Sequence, residues 1–176
     1  MQNEAIGKTM TASVEDINWD SVVKDELPRL YNYFRYRLGD ESVAEELTST
    51  VLEKAWTKRH RYRKDRATFS TWLFAIARNE VITYLRKRRI TLPISMAEEV
   101  TSETTEKMAE QSQDLSYLSH LLADLPERER EIISLKFGAD LNNREISTVM
   151  KLSESNVGTI LSRALQKLLE QMEGAK

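Results

Sequence analysis

The sequence predicts an all-α protein, built as two small helical domains joined by a flexible acidic linker. Three observations predict it. Apolar residues recur at spacings of three and four along several segments, and no segment alternates as a strand would. Between Ile90 and Gln113 that pattern lapses into Pro93, Ser, Thr and Glu, a linker composition. The last third holds two segments with helix-starting caps, separated by Met150-Lys151-Leu152, which is too short for anything but a tight turn.

Taken in order, residues 1–18 read as a polar tail and 19–89 as the first domain. A helix is expected from Trp19 to Leu38, with Val23, Leu27, Leu30, Tyr31, Phe34 and Leu38 inward. Pro28 suggests a start or break within it, and Gly39 ends it. A second helix runs from about Glu41 to His60 with Val43, Leu47, Val51, Leu52 and Ala55 inward. Arg61 to Thr68 forms a basic loop. A third helix runs from Phe69 to about Arg88, on Leu73, Ile76, Ala77, Val81, Tyr84 and Leu85.

The linker spans 90–114 and the second domain 115–176. There, Leu115, Leu118, Leu121 and Leu122 mark a short helix. Pro126 suits the first turn of the next, Glu127 to Phe137, whose core face is Ile132, Ile133, Leu135 and Phe137 and which Gly138 stops. Asn142 and Glu145 have the spacing of a capping box, and Ser153 caps the last helix. Its apolar stripe is Val157, Ile160, Leu161, Ala164, Leu165, Leu168 and Met172.

Composition excludes several function classes. There is no cysteine, hence no disulfide framework, thiolate zinc site or thiol nucleophile, and His60 and His120 are too few for a histidine cluster. No cofactor or metal is expected. The start lacks the basic-then-apolar pattern of a signal peptide, and no apolar run approaches the ~20 residues of a membrane span. A soluble, cytoplasmic protein without membrane insertion is expected.

The net charge of −2 conceals a strong asymmetry. Residues 54–89 carry 12 basic and 2 acidic side chains, while 1–53 carry 5 and 11 and 90–131 carry 3 and 10. A basic block of that density is an electrostatic footprint for a polyanion. Trp56, Tyr62, Phe69, Trp72, Phe74 and Tyr84 are interleaved through it.

The candidate DNA-reading residues follow from that block. Arg61, Arg63, Lys64 and Arg66 lie in the loop; Arg78, Asn79, Arg86 and Lys87 project from the helix after it. Asparagine makes bidentate contacts to a base edge, and arginine binds phosphate or guanine. A basic loop with an aromatic residue beside a polar helix face suits an unpaired base. It suits a hairpin that tracks duplex phosphates equally well, and the residues alone leave both open. The last two helices read as a helix-turn-helix, whose second helix enters the major groove and presents Ser155, Asn156, Thr159, Ser162 and Arg163.

Here the sequence resembles a family. Phe69 to Arg89 is similar to the DNA-melting, −10-reading helix of bacterial sigma factors, particularly the extracytoplasmic-function (ECF) group. Gly39-Asp40 and Ala44-Glu45-Glu46-Leu47 through Ala55-Trp56 resemble that group's polymerase-binding helix. Leu125 to Glu131 and the helix-turn-helix resemble its −35-reading domain.

The resemblance implies that the first domain docks on the clamp helices of core RNA polymerase through the face of Glu41 to Trp56, with Glu45, Glu46, Ser49, Thr50 and Glu53 as contacts. It implies that the same domain reads the −10 element as single strand, that the last helix reads −35 duplex, and that the second domain sits near the polymerase flap. The linker Ala97 to Asp114 would thread through the polymerase, its acidic chain mimicking nucleic acid. Many relatives are held by an anti-sigma factor wedged between the domains; no residue here identifies one.

The sequence also departs from the family. Ser49 and Thr50 stand where glutamine and glutamate are usual, and Gly158 and Ile160 where basic residues are common. Ala75 and Ile76 replace the paired tryptophans of housekeeping sigma factors, which implies modest promoter melting.

The function expected is a sigma factor that directs promoter-specific initiation, without chemistry of its own. The alternative is a free-standing helix-turn-helix regulator with an N-terminal protein-interaction bundle, which has no need of the basic-aromatic block. A nucleic-acid enzyme would require clustered carboxylates or a nucleophile with a base, and the sequence offers neither.

Overall fold

The computed structural model describes residues 17–91 and 117–174. The expected tail up to residue 16, most of the linker and Leu115 lie outside the described residues. Seven α-helices are described, and no strand.

Helix α1 (Trp19–Leu38) starts where the Asn18 side chain accepts from the amides of Asp20 and Ser21. It ends on Gly39 at φ 74°, a left-handed conformation that glycine adopts at little cost. The helix continues unbroken through Pro28, against expectation. A mid-helix proline costs about 3 kcal/mol, and the burial of Leu30, Tyr33 and Phe34 just beyond it outweighs that. The inward face also differs. Val23 and Leu27 are exposed, while Val22, Glu26, Leu30, Tyr33, Phe34 and Arg37 are buried. The stripe is rotated because two charged residues on it find partners inside the molecule.

Helix α2 (Glu41–Lys58) is capped by Asp40, which accepts from Val43 N at 2.9 Å. It passes into a 3-10 turn at Arg59–Arg61, earlier than the expected end at His60. Helix α3 (Phe69–Thr91) begins beyond Thr68, whose hydroxyl accepts from Thr71 N. It runs past the predicted domain boundary at 89. Lys54 of α2 and Glu80 of α3 pair at 2.6 Å, bracing the two helices side by side.

Helix α4 (117–123) leads through Pro126 into α5 (Glu127–Ile133), which ends in a π-turn at Ser134–Gly138. The expected single helix to Phe137 is thus interrupted. The wider π-turn shifts the register: Leu135 is buried and Phe137 lies half exposed, although both were expected inward. It also brings Gly138 against α1, where an added Cβ would lie 2.9 Å from Asn32 O and from Tyr33 Cα.

Helices α6 (Asn143–Met150) and α7 (Glu154–Gly174) are joined by a turn in which Lys151 is left-handed, at φ 55°. The capping box of Asn142 and Glu145 is complete. On α7, Val157, Ile160 and Ala164 are buried, whereas Leu165 and Met172, expected inward, are exposed.

The two helical units do not stand apart. Leu30, Tyr33, Phe34 and Phe74 share one buried cluster with Ile132, Leu135, Leu141 and Ile146. The Glu131 carboxylate, itself buried, accepts from Tyr33 Oη at 2.6 Å and from Arg37 Nε at 2.7 Å. Arg29 Nε donates to Ala139 O at 2.8 Å, and α6 packs on α3.

Candidate nucleic-acid interface

The loop before α3 is held by its own chemistry. Tyr62 packs its ring on Phe69 and Trp72, with centroids 5.5 Å apart in each case. Its hydroxyl donates to Ala67 O at 3.2 Å, which folds the loop back on itself. Partial burial raises the Tyr62 pKa, so the phenol stays neutral. Arg63 donates to Asp65, whose carboxyl is lowered first by that hydrogen bond. Arg61, Arg63, Lys64 and Arg66 are all exposed around it. The loop is therefore a preformed cationic edge around an aromatic floor.

On α3 the candidates diverge. Asn79, Arg86 and Lys87 are exposed, but Arg78 is half buried and its Nε is buried without a hydrogen-bond partner. Arg86 instead lines a groove with Ile82, Leu85, Arg89, Ile90 and Glu127.

On α2, Glu45, Glu46, Ser49 and Glu53 are exposed along one side, and Thr50 is half buried with its hydroxyl donating to Glu46 O. These residues form an acidic stripe. On α7, Ser155, Asn156, Thr159, Ser162 and Arg163 are all exposed. Ser153 Oγ accepts from Asn156 N at 3.2 Å, which caps the helix end that presents them. Gly158 is loosely surrounded, the nearest atom to an added Cβ being Asn143 Nδ2 at 3.9 Å.

Sigma-70 region 2 matches residues 22–91 and sigma-70 region 4 matches 121–170. The ECF RNA polymerase sigma factor SigM of Bacillus subtilis is 30% identical, over 82% of this chain and 91% of its own. The chain is an ECF-type sigma factor. Another ECF sigma factor, RpoE of Cereibacter sphaeroides, is 36% identical over 74% of this chain and 73% of its own.

Two solved structures share the fold. RpoE from Bartonella quintana, in complex with the anti-sigma factor NepR, matches with a TM-score of 0.74 at 24% identity, over 88% of this chain and 96% of that one. CnrH, in complex with the cytosolic domain of CnrY, matches at 0.68 and 19% identity, over 94% and 96%. This ECF sigma factor therefore acts as a transcription initiation factor on core RNA polymerase and promoter DNA. No helix among the described residues is long and apolar enough to cross a membrane.

Sequence reasoning missed part of the surface of this sigma factor. Trp19 joins the aromatic floor, with its ring 4.8 Å from Trp56 and 6.0 Å from Phe69. Arg59 lies over Trp56 at 4.2 Å. The only signal was the aromatic interleaving after residue 54, which cannot reveal that a tryptophan far upstream joins it.

Proposed function

We propose that this sigma factor divides promoter reading between its two ends, with 19–89 as the polymerase-binding and −10-reading domain, 90–114 as linker and 115–176 as the −35-reading domain. The 61–68 loop, Asn79 and Arg78 capture the −10 element as unpaired strand. The exposed residues of α7, from Ser155 to Arg163, read −35 duplex in the major groove. The acidic stripe of α2 docks on the polymerase clamp helices. The observation that carries the reading is the preformed loop, in which exposed cations ring an aromatic floor. Single-strand binders combine these two features, a charged track and stacking surfaces.

The mechanism is positioning and strand capture, with no reaction of its own. Arg86 and Lys87 supply phosphate contacts further along α3. Because a solved sigma factor of this fold is held by an anti-sigma factor, an anti-sigma partner is proposed for this chain as well.

The test is run-off transcription with purified core polymerase and genomic fragments, comparing wild type with Arg78→Ala/Asn79→Ala. Stable core binding with new start sites that the double variant loses supports the reading. Duplex binding without affinity for core would instead favour a free-standing regulator.

A further inference from the structure

The exposed end of α2 carries an assembly that the reading above leaves unused. Trp56 is 49% exposed, although its ring is large and apolar. Arg59 lies with its guanidinium over that ring and donates from Nη1 to Trp56 O at 2.8 Å, which holds the two side chains together. Trp19 meets Trp56 edge-on, with their planes at 73°. Trp19 also meets Phe69 edge-on, and Phe69 meets Tyr62 of the basic loop. The rings thus form one continuous track from the loop to the end of α2.

Charge along α2 is segregated. Its acidic residues, Glu41, Glu45, Glu46 and Glu53, all precede Trp56. From Lys54 to Lys64 the chain has no acidic residue, and Lys58, His60 and Arg61 beside Trp56 are exposed. A ring that merely fastened α1 to α2 would be covered by them. This one keeps much of its surface open to water, next to cations. That combination suits a nucleobase on a polyanionic strand, since bases stack on indole faces and on arginine planes alike.

We propose that Trp56, steadied by Arg59 and Trp19, is a stacking site for an unpaired nucleobase of the strand captured by the 61–68 loop. The proposal rests on the single-strand reading of that loop. It assigns the C-terminal end of α2 to DNA, leaving the acidic stripe to polymerase.

The test uses holoenzyme assembled from full-length chain and core polymerase. The probe is a single-stranded −10 oligonucleotide, drawn from the mapped start sites and carrying 2-aminopurine at successive positions. Stacking on an indole quenches 2-aminopurine, so one position should be quenched by wild type and not by Trp56→Leu, a change that keeps apolar bulk against Trp19. Trp56→Leu should weaken oligonucleotide binding roughly 5- to 150-fold, the range that one stacked base supplies. Trp56→Phe should restore most of it, and Arg59→Gln should weaken it with the fold undisturbed. Affinity for core should be unchanged in every variant.

Unaltered oligonucleotide binding and quenching in Trp56→Leu and Arg59→Gln would overturn the proposal. So would loss of core affinity in these variants with DNA binding intact, which would return Trp56 to the polymerase surface. If wild-type holoenzyme itself failed to bind the oligonucleotide, while Arg78→Ala/Asn79→Ala had no effect on transcription, the underlying single-strand reading would fall instead.

Discussion

Gly158 and Tyr33 show how single residues in this sigma factor divide between function and stability. Nothing in the protein packs closely on Gly158, so alanine there should be tolerated by the fold. It should stabilise α7 by up to ~1 kcal/mol, the propensity difference within a helix. If the missing side chain serves close approach to DNA, Gly158→Ala should also weaken −35 duplex binding by holoenzyme while the melting temperature rises. Unchanged duplex binding would make Gly158 a simple concession in stability. Tyr33 is the opposite case. Burial, then the neighbouring Glu131 carboxylate, raises its pKa well above the ordinary 10.0, because the phenolate would be desolvated beside a like charge. A raised folded-state pKa gives stability that is complete below the unfolded value and is lost as pH rises through the folded one. Denaturant titrations should therefore show this contribution falling away above about pH 10, the ordinary phenol range. Tyr33→Phe should flatten that alkaline loss, and should cost stability at neutral pH by leaving Glu131 with Arg37 as its remaining buried partner.

At the scale of elements, the parts legible in the sequence were those governed by local rules. Asn142 and Ser153 cap α6 and α7, and Gly39 ends α1, as their positions implied. The capping box of α6 has a direct test. Asn142→Ala should cost ~0.5–2 kcal/mol, read as a lower melting temperature, and should loosen the helix against which α7 is set. What failed did so for a nonlocal reason. Pro28 suggests a break only if α1 is considered alone; buried residues from both units hold it continuous. Phe137 was expected inward from an unbroken 3.6-residue period, and no pattern of apolar residues announces a π-turn. Within the candidate site, the loop cations and the exposed α7 residues were readable from charge and periodicity. The half-burial of Arg78 and the arrival of Trp19 were not, since both depend on which helices meet.

For the whole molecule, the decisive feature is the seam between the two units. Glu26, Arg37 and Glu131 look like surface residues in a sequence, yet all three are buried, with Arg37 on Glu131 and Glu26 accepting from Ser70 and Arg29. Removing one partner of a buried ion pair typically costs 3–5 kcal/mol, because the other charge is left uncompensated. Glu131→Gln should therefore loosen the seam strongly. Gly138→Ala should loosen it by another route, since its Cβ would press on the backbone of Asn32 and Tyr33, which yields far less readily than a side chain. Both variants should show a larger radius of gyration in solution scattering, whereas Gly174→Ala, with open space around it, should not.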